Sequence, residues 1–261
     1  MTGYVMDHHQ EGERARLELM SRLLDPMHRR HLEALGVGPG ARTLEVGCGN
    51  GSVSAWLAGR IAPGGRAVAV DLDLSLCDAQ APGLEFRQGD IVAAPVGPAD
   101  FDLVTARAVL HHVTDPAAAV ENLVASLRPD GAYLLLIEPD FLPVGIAEPP
   151  EVHAFWQGWL AWSREEGIDY FIGRKLPAML ADLGLEDIEA TAQTALYNGG
   201  SLWARYWTRT IGELRPRLED SGHLDRRLID TFLAHCDEPD WWTQTIAFTA
   251  VSGRTPDGGL A

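Results

Sequence analysis

The sequence predicts an α/β protein whose parallel sheet has helices on both faces. From Ala41 onward, short apolar strands alternate with helical segments, which is the pattern of such a sheet. The first strand runs into glycines at alternate positions, Gly47, Gly49 and Gly51, and the second strand ends at Asp71, 20 residues after Gly51. A glycine loop followed by a strand-end carboxylate at this spacing indicates that the sheet binds a nucleoside cofactor.

The N-terminal residues predict a helical cap before the sheet. Glu11 to Leu35 has helical spacing with one apolar face, and Asp25-Pro26 is expected to interrupt the helix. Asp115-Pro116 marks a later helix start, because the Asp side chain can cap the helix and Pro suits its first position. From position 42 the pattern predicts strand 42–47, helix 52–60, strand 66–71, a short helix near 74–80, strand 84–88, strand 101–106, helix 116–127 and strand 132–138.

The composition changes after Pro139, since seven of the eight tryptophans follow it. Residues 149–166 and 200–236 have helical patterns, whereas Leu185 to Ala195 and Trp242 to Gly253 are predicted to be strands. The chain is therefore divided into a cap at 1–40, a cofactor-binding α/β core at 41–140 and a C-terminal part at 141–261 that completes the core and carries two helical insertions.

The glycine loop has a clear physical purpose. Glycines at a strand-to-helix bend permit positive φ angles and let a ligand approach the backbone, while the following helix offers unpaired N–H groups. The dinucleotide fingerprint, counted from Gly47, requires its third glycine or alanine at position 52. In this sequence the third glycine is at position 51 and position 52 is Ser52. The loop is therefore not the dinucleotide type.

Glu45-x-Gly47-x-Gly49-x-Gly51 resembles motif I of the class I S-adenosylmethionine-dependent methyltransferases. The resemblance continues through Asp71, Asp90, the segment from Phe101 to Val113 and the turn from Leu127 to Gly131. It implies a Rossmann-like seven-stranded sheet whose last strand is antiparallel, with the two insertions forming a lid beside the substrate entrance. It also implies S-adenosylmethionine as cofactor and S-adenosylhomocysteine as product.

The resemblance assigns cofactor contacts to matching residues of this chain. Motif I would contact the methionine end of the cofactor, Asp71 the ribose hydroxyls, and Asp90 the adenine amino group. For Asp90, a simple turn role after the strand is the alternative. The complete set of expected cofactor-binding residues is Glu45, Gly47, Gly49, Gly51, Asp71, Leu72, Asp90, Ile91, Ala106 and Arg107.

Two adjacent histidines are the candidate catalytic residues. His111 and His112 follow the strand at 101–106, at the rim of the cofactor cleft. A histidine titrates near neutral pH and can act as a general base, but a hydrogen-bonded structural histidine is the competing interpretation of each. Successive residues of a helix point about 100° apart, so we expect at most one of the pair to face the substrate.

Aromatic residues of the insertions are the candidate substrate contacts. Trp156 and Trp159 lie on one helical stripe, which fits either a buried core or a roof over an aromatic acceptor. Trp203 belongs to the second insertion. Tyr4 resembles N-terminal segments that fold over the cofactor in natural-product methyltransferases.

Composition excludes several classes of partner. The net charge of −16 opposes binding to nucleic-acid phosphates. Cys48, Cys77 and Cys236 are too few and too scattered for a disulfide framework, and no metal motif is present. The absence of a membrane-length apolar run and of a signal-like start predicts a cytoplasmic protein.

The resemblance implies methyl transfer to an O, N or C nucleophile of a small molecule, with a bacterial secondary metabolite as the expected acceptor. Two alternatives remain open at this stage. One is a non-methylating reaction, such as a dehydration or pericyclic step, on the same cofactor-binding scaffold. The other is a non-catalytic binding subunit. The choice of acceptor atom and the formation of a homo-oligomer also stay open.

Overall fold

A computed structural model describes residues 12–141 and 149–259 of the chain. In this part, seven α-helices and nine β-strands follow in the order α1 (Glu13–Ala34), β1 (Arg42–Val46), α2 (Ser52–Ile61), β2 (Arg66–Asp71), β3 (Leu84–Gln88), β4 (Leu103–Arg107), α3 (Pro116–Ser126), β5 (Tyr133–Asp140), α4 (Pro150–Glu165), α5 (Leu176–Asp182), β6 (Glu186–Gln193), β7 (Leu196–Asn198), α6 (Leu202–Asp220), α7 (Arg226–Asp237), β8 (Trp242–Gln244) and β9 (Ala247–Arg254).

The main sheet has seven strands in the order β3-β2-β1-β4-β5-β9-β6. The five strands from β3 to β5 are parallel, and β9 pairs antiparallel with both β5 and β6. This confirms the predicted sheet and its antiparallel last strand. The carboxyl ends of β1, β2 and β4 meet at one edge, which is where an open α/β sheet binds its ligand.

Two apolar layers cover the sheet, because alternate residues of a strand point to opposite faces. In β5, Leu134 and Leu136 pack with α3 and α5, whereas Leu135 and Ile137 pack with α1, α2, α4, α6 and α7. The second layer is strongly aromatic. Phe155 of α4 stacks on Phe232 of α7, with ring centres 4.1 Å apart.

Local capping explains several element boundaries. Asp115 caps α3 by accepting a hydrogen bond from the Ala118 N–H at 3.0 Å, with Pro116 at the first helical position, as predicted. Ser201 and Asp225 cap α6 and α7 in the same way.

The predicted interruption at Asp25-Pro26 is wrong, because α1 runs through Pro26 without a break. The predicted helix near 74–80 is also wrong. There the Asp73 carboxylate accepts from the Ser75 N–H at 2.8 Å, and only a single turn forms at Leu74 to Cys77. Asp side chains that bond to nearby backbone favour such turns over helix.

Two long predicted segments are each divided. The helix expected over 200–236 is broken at 221–225, where Gly222 has a φ of +72°. The strand expected from Trp242 to Gly253 becomes β8, which pairs with β7 in a separate two-stranded sheet, and β9. Within residues 12–141 and 149–259, no helix combines the length and apolar character needed to cross a lipid bilayer.

Candidate active site

The glycine loop between β1 and α2 forms a cradle at the carboxyl edge of the sheet. Gly47, Gly49 and Gly51 have φ angles of +68°, +56° and +79°, as the loop prediction requires. A side chain at Gly47 could not be accommodated, since an ideal Cβ there would lie 2.1 Å from the Cγ2 atom of Val109. The loop therefore presents backbone rather than side chains to a ligand.

Asp71 lies at the end of β2 beside this loop, and both of its carboxylate oxygens are fixed by backbone. The Gly49 N–H donates to Oδ2 at 2.9 Å, and the Asp73 N–H donates to Oδ1 at 3.4 Å. The half-buried carboxylate is thereby held at the edge, where a carboxylate can accept from ribose hydroxyls.

Three other expected cofactor residues lie farther along the same edge. Leu72 exposes 55% of its surface, which is unusual for a large apolar side chain. An exposed apolar side chain at this edge can pack against the flat ring of a nucleobase. Asp90 is exposed and its Oδ1 accepts from the Val92 N–H at 2.9 Å, so it does fill the turn role considered above. Ile91 is buried behind it.

Glu45 and Ala106 are buried beneath the edge, and Arg107 is half-buried there. The Glu45 carboxyl accepts a hydrogen bond from the Ser54 hydroxyl of α2, and its burial raises its pKa to about 7. The Arg107 guanidinium lies 2.9 Å from Oδ1 of Asp25 in the cap helix. The structure thus joins Glu45 and Arg107 to interior partners, while the three glycines, Asp71 and Leu72 lie along the open edge.

The cap helix α1 packs directly against the glycine loop. Ser21 donates to the Asn50 side chain at 3.2 Å, and the Ser52 hydroxyl lies 3.1 Å from Ser21 and 3.3 Å from Asp25. The cap and the loop are therefore connected by a polar network.

His111 and Glu138 form a buried pair next to the cleft. The His111 Nδ1 atom lies 2.7 Å from Oε2 of Glu138, and Glu138 is fully buried at the end of β5. The carboxylate also accepts the backbone N–H groups of Val109 and Leu110 at 2.8 Å each and that of His111 at 3.3 Å. These bonds fix both the loop after β4 and the orientation of the imidazole.

Burial controls the charges of this pair. It lowers the pKa of His111 to about 3, with a further contribution from the charge of Arg16, and it raises the pKa of Glu138 to about 7. Burial also lowers the pKa of His112. The imidazole of His111 is therefore neutral at neutral pH, with its Nδ1–H donating to Glu138 and Nε2 carrying the lone pair.

A cavity of about 40 Å³ lies beside His111 and is here called the acceptor cavity. Both histidines line it, with their ring centres 3.8 Å apart, although helical geometry would turn only one of them towards it. The loop after β4 is not helical at this point, and the helical 100° rotation does not apply. The other lining residues are Arg16, Met20, Ala108, Pro139, Trp162, Ile168, Tyr170, Tyr206, Trp207, Thr210, Leu214, Ile246 and Phe248.

The tryptophans proposed as substrate contacts have different positions. Trp156 and Trp159 are fully buried in the aromatic layer and are not among the residues that line the acceptor cavity. Trp203 is half-buried and stacks on Phe248, a lining residue, at 6.2 Å between ring centres. Tyr4 lies outside the described residues.

Three residues near the site were not expected there from the sequence, namely Glu138, Arg16 and Tyr170. For Glu138 a signal was present, because it is the only acid in the apolar run from Tyr133 to Pro139. A carboxylate in a buried strand needs partners, and this one lies at the ligand-binding edge. No local signal placed Arg16 or Tyr170 beside His111, since the three belong to separate parts of the chain.

Comparison with known proteins identifies the domain. Residues 44–135 match a family described as methyltransferase domain. The chain is 27% identical over 235 residues to an uncharacterized 37.1 kDa protein in transposon TN4556 of Streptomyces fradiae, covering 86% of this chain and 66% of that protein. It is 30% identical over 117 residues to the ubiquinone biosynthesis O-methyltransferase of Paracidovorax citrulli, covering 41% of this chain and 48% of that enzyme. The chain thus spans about half to two thirds of the length of these curated relatives.

Solved methyltransferase structures share the fold of this chain. Phosphoethanolamine N-methyltransferase 2 of Haemonchus contortus, solved with phosphomonomethylethanolamine and S-adenosylhomocysteine, superposes with a TM-score of 0.56 at 15% identity, over 93% of this chain and 52% of that one. The domain match and the sheet topology support a class I S-adenosylmethionine-dependent methyltransferase, and the glycine cradle beside the Asp71 carboxylate fits that cofactor. Within residues 12–141 and 149–259, no three His, Cys, Asp or Glu side chains are arranged to hold a metal ion.

Proposed function

We propose that this protein transfers the methyl group of S-adenosylmethionine to a hydroxyl oxygen of a small aromatic molecule. The observation that carries the proposal is the His111–Glu138 pair, with Nδ1 and Oε2 2.7 Å apart, at the wall of an aromatic-lined cavity. Among the O, N and C nucleophiles that the sequence left open, a hydroxyl is one whose attack is assisted by a base at neutral pH.

The cofactor would be held by residues of the open edge. We propose that the glycine cradle contacts its methionine end, that Asp71 accepts from the ribose hydroxyls, and that Leu72 and Ile91 pack beside the adenine. When bound, the cofactor supplies an electrophilic methyl group on a sulfonium. The cleft then positions the acceptor oxygen in line with that methyl group, and such positioning removes much of the entropic barrier.

His111 is the proposed general base. Its Nε2 lone pair takes the acceptor proton, and the positive charge that forms on the ring is stabilised by the Glu138 carboxylate at Nδ1. Glu138 acts as a positioning residue, because its three backbone hydrogen bonds hold it in one orientation. The similarity to an enzyme named as a ubiquinone biosynthesis O-methyltransferase supports oxygen as the acceptor atom. A secondary metabolite as acceptor and a cytoplasmic location remain part of the proposal.

The test is the release of S-adenosylhomocysteine from a panel of phenols, catechols and hydroxylated polycyclic compounds, with products identified by mass spectrometry. For an acceptor found in this way, His111→Gln is expected to reduce kcat by about 10²- to 10⁴-fold. The matched control is His153→Gln, because His153 is half-buried on α4 and does not line the acceptor cavity.

Two results would contradict the proposal. Full activity of folded His111→Gln between pH 5 and 9 would remove the general base. A transformed product formed with the cofactor unconsumed would favour the non-methylating alternative instead.

A further inference from the structure

The acceptor cavity has an unusual electrostatic character for an aromatic pocket. Of the described side chains that line it, Arg16 is the only one with a permanent charge. Arg16 is buried, with 3% of its surface exposed, and it belongs to the cap helix rather than to the methyltransferase domain match at 44–135. A buried cation at a ligand site is costly to maintain, and its position calls for a functional explanation.

Arg16 is held in a single orientation by Glu13. Its Nε and Nη2 atoms donate to the two oxygens of the Glu13 carboxylate at 2.7 and 2.6 Å. Glu13 is itself buried and is not a lining residue of the cavity. The guanidinium is therefore preorganised, and its counter-ion does not line the cavity.

Other charged groups lie near Arg16, and the Glu213 carboxyl is one that interacts with it. On α6, burial and the charge of Glu13 raise the pKa of Glu213, and the Arg209 guanidinium lies 4.0 Å from that carboxyl. Beside His111, the Asp169 N–H donates to the His111 carbonyl at 3.0 Å, and the Asp169 carboxylate pairs with Lys175 at 2.5 Å. Both histidines are neutral, and the remaining polar lining groups are Tyr170, Tyr206 and Thr210.

The state of His111 creates a need for such a cation. A buried imidazole whose pKa is about 3 in the resting site accepts a proton from an ordinary hydroxyl only with difficulty. Proton transfer becomes favourable if the site also stabilises the oxyanion that is left behind. A fixed guanidinium at the wall shared with His111 is the group that would do so.

We propose that Arg16 is a catalytic residue that binds the acceptor oxygen as its anion, and that the acceptor is consequently a phenol or an enol. This inference rests on the proposed function. In the step, the acceptor O–H bond breaks and its proton goes to Nε2 of His111. The oxygen keeps the electron pair and forms the new O–CH₃ bond, while the methyl–sulfur bond breaks and its electron pair stays on sulfur.

Phenols and enols are selected over aliphatic alcohols for two reasons. Their anions form at far less cost, so one guanidinium shifts the equilibrium enough, and a planar anion can pack on the rings of Tyr170 and Trp207 that line the cavity. Amines are disfavoured, since their nucleophilic form is neutral and gains nothing from Arg16.

The test measures the ionisation of a bound phenol and needs no turnover. 4-Nitrophenol is titrated against the full-length protein saturated with S-adenosylhomocysteine, and its phenolate is followed by visible absorbance across pH. The protein is expected to lower the pKa of the bound phenol by about one unit or more, equivalent to at least about a tenfold preference for the anion. Arg16→Gln should abolish this preference, and Arg16→Lys should restore part of it.

Two further variants separate charge from structure. Arg14→Gln is the matched control, because Arg14 lies on the exposed side of the same helix and pairs with Asp78 there, so it should behave as the parent protein. Glu13→Gln removes the counter-ion of Arg16 and should strengthen the preference for the phenolate. If the Glu13–Arg16 pair were merely structural, both Glu13→Gln and Arg16→Gln would destabilise the fold, and neither would change the preference.

Several outcomes would overturn the inference. The first is that 4-nitrophenol does not bind at all, neither as the phenol nor as the phenolate. The second is that the parent protein binds both forms equally, and the third is that folded Arg16→Gln keeps the preference of the parent protein. These outcomes differ from failure of the proposed function, which would appear as absence of methyl transfer while the anion preference remained. If methyl transfer is found, the rate of Arg16→Gln should depend more steeply on the pKa of the phenol than the rate of the parent protein.

Discussion

The cofactor edge and the acceptor cavity are built in contrasting ways. The edge is formed by consecutive loops that follow β1, β2 and β3, and it offers backbone together with the half-buried Asp71 and the exposed Leu72. The cavity is assembled from α1, the loop after β4, β5, helices α4 and α6 and β9, and its walls include several aromatic side chains. The edge depends on local chain geometry, whereas the cavity depends on the packing of distant elements.

This difference predicts that substitutions at the two sites have different effects. A change at the edge should weaken ligand binding and leave the fold intact. A change in the aromatic layer around the cavity should first affect stability.

Trp159→Ala is expected to destabilise the protein by about 3–5 kcal/mol, because it removes a fully buried indole from the aromatic layer. Urea or thermal unfolding measures this loss. Trp242→Ala is the control, since Trp242 is 63% exposed and its loss should cost much less. A folded, equally stable Trp159→Ala protein with a raised acceptor KM would instead place Trp159 in the acceptor site, as the sequence first suggested.

Glu45→Gln should change the pH dependence of stability. The pKa of Glu45 rises from 4.5 to about 7 on folding, so the folded state binds the extra proton and stability falls as pH increases through this range. Relative to the variant, the parent protein should lose about 3 kcal/mol between pH 4 and 8. Denaturant unfolding at several pH values gives the difference between the two curves. If stability depends on pH in the same way in both proteins, folding does not raise the pKa of Glu45.

Asp71→Ala should weaken S-adenosylmethionine binding by one to two orders of magnitude, because charged hydrogen bonds of this kind contribute about 1.5–3 kcal/mol. Calorimetric titration measures the affinity, with Asp73→Ala as a control from the same loop. Since Asp71 also accepts from the Gly49 N–H, Asp71→Asn tests whether the charge or the loop geometry matters. Unchanged affinity in folded Asp71→Ala would exclude Asp71 from the cofactor site.

Trp203→Ala should have the smallest effect, a rise of about two- to tenfold in acceptor KM with unchanged cofactor affinity. Trp203 is half-buried and reaches the cavity only through Phe248, so a loss on the order of 1 kcal/mol is expected. Steady-state kinetics with varied acceptor measure it, and Trp56→Ala on α2 is a comparable half-buried control. Identical kinetics in both variants would leave Trp203 as a packing residue.

The same contrast explains how much the sequence could predict. Local patterns predict the order of strands and helices in the core, the glycine loop and the Asp115 cap. The structure agrees with them except for the helix expected near 74–80. Pro26 was expected to break α1 from a local rule, but tertiary contacts on both sides of it, such as Asp25 with Arg107, stabilise the helix through it.

The acceptor cavity could not be predicted in this way. The tryptophan spacing of α4 identified one buried stripe but could not tell which rings reach the cavity, because that depends on how α6 and α7 pack against it. The two histidines were found by sequence, whereas Glu138 and Arg16 required knowledge of which distant residues surround them.

The cap helix α1 belongs to both regions. Through Ser21 and Asp25 it contacts the glycine loop and Arg107, and through Arg16 and Met20 it forms part of the cavity wall. A ligand that changes the position of this helix in one site therefore alters the free energy of binding in the other. By thermodynamic linkage this effect is reciprocal. If the methyl donor raises the affinity for the acceptor by some factor, the acceptor raises the affinity for the methyl donor by the same factor.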